Sequence, residues 1–264
     1  LLARDLADSS IRKCGMDRAN KLVAFCSQNA HYSYKKSAIV IGLGEENLVA
    51  VKCRPNGAMD PGALRAAIAS AIAAGKQPFY VGTTAGTTVL GAFDPFDELF
   101  DVIDEFQNNN GQSRRIWTHI DGAWGGSAML SKKHSYLMDG AERSDSFSWN
   151  PHKMLGMPLQ CSTFVCKHPG SLSKANGAKA EYLFQPDKNN SGADLGDRTI
   201  QCGRKADALK LWLAWKLRGD KGFAECIDRS FHLAKFVQLE VENSDGKFLL
   251  VQPAQCSNVG FWYV

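Results

Sequence analysis

Ser148-Trp149-Asn150-Pro151-His152-Lys153 places a lysine directly after Asn-Pro-His, between two short apolar runs. Asp145-Ser146-Phe147 before it reads as a strand nearing its end, and Met154-Leu155-Gly156-Met157 follows it. A lysine in that setting is partly desolvated, which disfavours the ammonium and leaves an amine able to attack a carbonyl. Lys153 therefore reads as a Schiff-base lysine, although a lone lysine is by default a solvated surface residue.

The sequence on either side supplies a frame for it. Short apolar runs at residues 21–26, 48–51, 79–82, 116–121, 146–149 and 163–166 read as strands, the fourth ending in the carboxylate of Asp121. Residues 32–43, 60–74 and 94–107 read as helices, and residues 1–13 as the end of one. The 60–74 helix carries its own signals: Asp60 as N-cap, Pro61 at the first helical position and Gly75 at the stop. Strands alternating with helices predict an α/β fold with a mostly parallel sheet covered on both faces, whose strand ends converge on one rim. Residues 170–201 are polar and Gly/Asn-rich around Asn189-Asn190-Ser191-Gly192, which reads as a candidate mobile loop. Residues 205–218 and 223–242 read as amphipathic helices, and 247–251 and 259–264 as strands. The expected division is a large domain over residues 1–220 and the beginning of a small α+β domain over 221–264. Leu1 and Val264 both look like cut ends, so the chain is expected to be part of a longer protein.

Composition excludes several classes. The chain has 264 residues, 44% of them hydrophobic, enough for a sizeable core. A net charge of +4 without a basic stripe argues against nucleic acid or an anionic membrane as partner. No apolar run is long enough to span a bilayer. The eight cysteines are scattered with no Cys-x-x-Cys pair, as expected of reduced thiols in a cytoplasmic protein. The six histidines show no His-x-x-x-His spacing, so no metal site is expected. A G-x-x-x-x-G-K-S/T phosphate loop and a G-x-S-x-G elbow are also absent.

Four stretches fall at strand ends or in the loops after them: Asn29-Ala30-His31-Tyr32-Ser33, Thr84-Ala85-Gly86-Thr87-Thr88, His119-Ile120-Asp121-Gly122-Ala123-Trp124-Gly125-Gly126, and the Asn-Pro-His-Lys core. A pyridoxal phosphate site requires a lysine anchor, a carboxylate facing the pyridine nitrogen, a flat group to stack on the ring and small donors near the phosphate. Lys153, Asp121, His31 and Asn150 or His152 can fill these roles. Each has a plainer reading too. His31 suits a loop, Asp121 can cap the turn at Gly122, Thr87-Thr88 can be turn residues, and Gly125-Gly126 can serve close packing.

The combined order resembles the group II pyridoxal-phosphate-dependent decarboxylases, in particular the glutamate and cysteine sulfinate decarboxylase branch. The resemblance runs over essentially the whole chain. It is carried by residues 84–95, by His119-Ile120-Asp121 with Ala123-Trp124-Gly125-Gly126, and by Asn150-Pro151-His152-Lys153 with Leu159-Gln160-Cys161-Ser162. Tyr182-Leu183-Phe184-Gln185-Pro186-Asp187-Lys188 and Gly196-Asp197 through Gln201-Cys202-Gly203-Arg204 complete it.

The resemblance implies a fold-type I, aspartate-aminotransferase-like large domain and a homodimer with sites between subunits. It implies pyridoxal 5'-phosphate as cofactor and a small acidic amino acid as substrate, glutamate ahead of cysteine sulfinate or aspartate. By the same resemblance Lys153 carries the cofactor, Asp121 pairs with the ring nitrogen, His31 stacks on one face and Ala123 packs on the other. Thr88 lies near the ring substituents, Asn150 and His152 near the phosphate or the lysine linkage, and Arg204 at the subunit interface. The sequence departs from the family in four ways. A small-residue phosphate loop before Leu1 and a substrate-binding arginine beyond Val264 are missing. No tyrosine occurs between Tyr182 and Tyr263, where relatives carry one thought to protonate Cα. Gly122 stands where relatives tend to have alanine. A chain of another class, truncated and non-catalytic, pairing with a full-length subunit, is the alternative expectation.

Overall fold

The computed structural model describes residues 1–16, 21–109, 115–178 and 195–264. The Tyr182–Lys188 motif and the Asn189-Asn190-Ser191-Gly192 stretch lie outside the described residues.

Six strands form one sheet: β1 (Leu22–Ser27), β2 (Leu48–Val51), β3 (Gln77–Thr84), β4 (Trp117–Gly122), β5 (Ser146–Trp149) and β6 (Thr163–Cys166), in the order β2-β1-β3-β4-β5-β6. The first five run parallel and β6 pairs antiparallel to β5. All six residues of β1 are buried, as a central strand covered on both faces must be. On one face Val23, Phe25, Val81 and Ile120 pack against helices α4 (Pro61–Ala73) and α5 (Phe96–Asn109) through Leu64, Ile68, Leu99 and Ile103. On the other, Leu22, Ala24, Phe79 and Trp117 meet Ala3 of α1 (Leu2–Ala7), Ile11 of α2 (Ile11–Cys14) and Ala38 of α3 (Ser33–Val40).

Local chemistry explains most boundaries. The Asp60 carboxylate accepts from Ala63 N–H at 2.7 Å and Pro61 opens α4, the expected cap. The expected single helix over residues 1–13 is instead two. Asp8 is extended between them, its carboxylate accepting from both the N–H and the hydroxyl of Ser10 at 2.9 and 2.7 Å. That local bond competes with helix continuation. The α5 helix starts at Phe96, two residues later than expected, because Asp94 is buried and used elsewhere. Its two carboxylate oxygens accept from the backbone N–H groups of Met59 and Thr84, each at 2.7 Å. Within the stretch expected as loop, Ser171–Asn176 forms a short helix, α6. Asn176 Nδ2 donates to Leu172 O at 3.0 Å within that helix, and Arg12 binds the carbonyls of Lys174 and Gly177, pinning it to the N-terminal segment.

The two expected C-terminal helices are the halves of α7 (Asp207–Glu242), broken at Gly219, whose φ of 64° and ψ of 179° only glycine adopts readily. The second half buries Phe223 and Ile227 against Leu155, Met157 and Cys161, so it packs on the segment that follows Lys153. A separate antiparallel pair, β7 (Phe248–Leu250) and β8 (Phe261–Tyr263), ends the chain.

Candidate active site

Parallel strands send their C-terminal ends to one rim. In the order β1-β3-β4-β5, four adjacent strands deliver His31, Thr88, Asp121 and Lys153 to that rim, each in or just after its strand. The sheet order reverses between β2-β1 and β3, the crevice position where ligands of open parallel sheets bind.

Asn150-Pro151-His152-Lys153 is a turn closed by Lys153 N–H donating to Asn150 O at 2.9 Å, with Pro151 supplying the fixed φ of its second position. His152 holds this turn to the returning chain. Its N–H and its Nδ1 both face the Cys161 carbonyl, at 3.4 and 2.6 Å. The Cys161 N–H also points at Nδ1, at 3.2 Å, so both backbone groups of Cys161 meet the same ring atom. Lys153 is half-buried, and its amine makes no hydrogen bond or ion pair with the described residues.

Asp121, one residue before the end of β4, lies between register partners Thr84 on β3 and Ser148 on β5, so these three side chains share one face. Its Oδ1 accepts from Ala123 N–H at 3.0 Å and, more weakly, from the Ser148 hydroxyl at 3.4 Å. No lysine, arginine or histidine among the described residues lies within ion-pair reach of it. The groups beneath it are neutral. Burial pushes the Tyr34 and Tyr80 phenols up, helped by the Asp121 charge. Desolvation lowers His119 to about 4, against the opposing pull of Asp121. His119 is stacked by Tyr80 and Phe164, with centroids 6.2 and 5.9 Å away. Its Nδ1 lies 2.8 Å from Ser146 Oγ, which also accepts from Trp117 Nε1 at 2.8 Å. The Ser146 hydroxyl thus bridges His119 and Trp117, and desolvation keeps the imidazole neutral.

His31 lies in the loop after β1. Its Nδ1 accepts from Ser33 N–H at 3.3 Å and faces the Ser33 hydroxyl at 2.8 Å, which leaves Nε2 as the protonated atom of the neutral ring. Tyr32 packs beside it at 4.2 Å between centroids, tilted by 39°. Thr88 is exposed in the loop after β3. Arg204 is not part of this rim by its contacts: the guanidinium donates to Gln201 O and Cys202 O at 3.1 and 2.8 Å, within its own loop.

Four residues of the neighbourhood went unassigned in the sequence. Ser148 carries no signal of its own, and only strand register puts it beside Asp121. Thr84 is 4% exposed and its Oγ1 has no hydrogen-bond partner. Tyr34 lies over Gly82, and Asp94 ties the end of β3 to Met59. Alternation along β3 would have signalled Thr84; nothing local signals the others.

These residues fit pyridoxal phosphate. An unengaged amine, a carboxylate with no cationic partner and an orphaned buried hydroxyl in register with it are the donors and charge that a pyridinium ring and its aldehyde would meet. The pyridoxal-dependent decarboxylase conserved domain matches residues 5–264. The chain belongs to that family. Its cofactor is pyridoxal phosphate, and its members are carboxy-lyases built on the mostly parallel α/β architecture of fold-type I enzymes. Over 100% of its length this chain of the pyridoxal-dependent decarboxylase family is similar to mouse CSAD, at 40% identity and a TM-score of 0.91. It is similar, again over its full length, to Catharanthus roseus tryptophan decarboxylase in complex with L-tryptophan, at 30% identity and a TM-score of 0.83. It also resembles Oryza sativa TDC with pyridoxal phosphate and tryptamine, at 28% identity and a TM-score of 0.88. The chain spans about half the length of these solved relatives, 53%, 53% and 52%. The likeness to mouse CSAD supports the glutamate and cysteine sulfinate branch named from the motifs.

Proposed function

We propose that the protein containing this chain removes the α-carboxylate of a small acidic amino acid, with L-glutamate to 4-aminobutyrate as the first reading. The observation that carries the decarboxylase reading is the rim where Asp121, near the end of β4, and Lys153, in the turn after adjacent β5, come together, the amine unengaged and the carboxylate without a cation among the described residues. When bound, pyridoxal phosphate supplies a ring that accepts the electron pair left at Cα as carbon dioxide departs. The chain's own residues supply the rest. Lys153 would offer the amine that anchors the cofactor. Asp121, fixed at Oδ1 by Ala123 N–H and Ser148, keeps a proton on the ring nitrogen. The neutral floor of Tyr34, Tyr80 and His119 leaves that carboxylate as the local charge. His31 and Ala123 would pack against the ring's faces. Thr88, Asn150 and His152 would serve the cofactor's substituents.

Gln185-Pro186-Asp187-Lys188 and Met154-Leu155-Gly156 favour glutamate. The 40% identity with mouse CSAD favours the second reading, cysteine sulfinate. A homodimer in the cytoplasm, with Arg204 at the subunit contact, belongs to the same proposal. The exposed apolar residues Leu209, Trp212, Leu213 and Leu217 on α7 support burial against another surface. Among the described residues no helix is long and apolar enough to cross a membrane. The large and small domains at 1–220 and 221–264 are likewise proposed, with the break in α7 at Gly219 as support. The deciding experiment expresses the complete reading frame and assays glutamate, aspartate, cysteine sulfinate and tryptophan, measuring carbon dioxide and amine together. Turnover of tryptophan alone overturns the acidic-substrate reading.

A further inference from the structure

Asn258 lies between β7 and β8, remote in sequence from every candidate residue. Its Nδ2 stands 3.3, 3.1 and 3.2 Å from the carbonyl oxygens of Thr87, Thr88 and Val89. An amide has two N–H groups, so it serves three acceptors only by sharing one. Its Oδ1 accepts from Trp124 Nε1 at 3.3 Å. One side chain therefore joins the loop after β3, which carries Thr88, to the loop after β4, which carries Ala123. The approach depends on Gly91, where a Cβ would stand 2.4 Å from Asn258 Oδ1 and 2.8 Å from Cys256 Cβ. Gln252 Nε2 adds a parallel tie to Leu90 O at 3.1 Å.

We infer that Asn258 is a positioning residue for the cofactor site: from the C-terminal segment it holds the Thr88 and Ala123 loops, which leave adjacent strands next to Asp121, at a fixed separation. The inference rests on the decarboxylase reading. Asn258 acts through the two loops and needs no contact with cofactor or substrate. Removing it lets the loops drift independently, which weakens binding of pyridoxal phosphate before it affects the chemistry on Lys153.

The test uses the complete reading frame and pyridoxal phosphate itself, titrated by absorbance, with thermal denaturation of the cofactor-free protein alongside. Asn258→Ala is expected to weaken cofactor binding about tenfold or more. Trp124→Phe, which loses the Oδ1 contact together with the indole's contact to the Cys256 thiol, is expected to weaken it less than Asn258→Ala does. Asn258→Asp, which faces three carbonyls with a carboxylate, is expected to be at least as damaging as alanine. Asn258→Ser keeps a small donor and acceptor, folds more readily and is expected to fall between. Cofactor affinity within twofold of wild type in Asn258→Ala, or in Asn258→Ser if the alanine variant fails to fold, overturns the inference whatever happens to the melting temperature. Borohydride reduction of the wild type, followed by mass mapping, separates the two levels. Without label on Lys153 both the decarboxylase reading and this inference fall; with label and unchanged variants only this inference falls.

Discussion

The ring of Tyr34 occupies the place where a side chain at position 82 would begin: a Cβ on Gly82 would stand 2.4 Å from Tyr34 Cε1 and 2.7 Å from its hydroxyl oxygen. The bare backbone of β3 is what lets helix α3, and with it the His31 loop, close onto the sheet beside Asp121. Gly82→Ala is expected to destabilise the protein by about 1–3 kcal/mol, the usual range for overpacking a filled core. Denaturant unfolding checks it, and Tyr34→Ala in the same chain should recover part of the loss. Unchanged stability would mean the ring moves freely.

Lys153→Ala should abolish cofactor attachment and turnover while leaving the melting temperature of the cofactor-free protein nearly unchanged. The amine makes no bond with the described residues, so its removal orphans nothing. Absorbance of bound cofactor equal to wild type would overturn the assignment.

Asp121→Asn is expected to lower turnover by about 10²-fold or more, because an amide cannot hold a proton on the ring nitrogen as a carboxylate does. Some cofactor should remain bound through Lys153. Steady-state kinetics with a cofactor titration decide it, and wild-type turnover would contradict the role given to Asp121.

His119 makes stability depend on pH. Burial takes its folded pKa from 6.5 to about 4, so between those values the unfolded chain binds a proton that the folded chain refuses. Its contribution is complete above pH 6.5 and is lost as pH falls towards 4, with a ceiling of roughly 3 kcal/mol at about 1.4 kcal/mol per pKa unit. Asp94 works in the opposite sense. Burial raises it from 3.8 to about 6 despite two backbone donors, so in that interval the folded chain binds the extra proton and stability falls as pH rises. Comparing wild type with His119→Gln across this range isolates the histidine: the wild type should lose stability relative to the variant as pH falls. Parallel profiles would refute this.

Asp145 stands at the opposite end of β5 from Lys153, 1% exposed. Its carboxylate accepts from Thr118 N–H at 2.8 Å and from His168 Nε2 at 2.7 Å, and it pairs with Arg115. Asp145→Ala strips a buried acceptor from all of them and is expected to destabilise by about 3–5 kcal/mol. Added pyridoxal phosphate should not restore wild-type stability, since no contact of Asp145 reaches the rim. Chemical denaturation with and without cofactor tests both statements.

What the sequence determined by itself was whatever short-range chemistry specifies. Asp60 and Pro61 start a helix through bonds within four residues. Apolar runs of strand length, alternating with helical patterns, imply a parallel sheet whose ends share a rim. Asn-Pro-His-Lys closes its own turn, and several motifs in one order named the family. Other features depended on pairing across the chain. Residues 1–13 broke at Asp8 because a side chain out-competed the helix, and α5 started late because Asp94 was needed by Met59 and by Thr84 on β3. Strand register alone set Ser148 and Thr84 beside Asp121, since a shift of one residue would turn them to the other face. Asn258 reaches Trp124 across 134 residues and Thr88 across 170. No local pattern encodes such contacts, because the chain must fold before either partner has anything to meet.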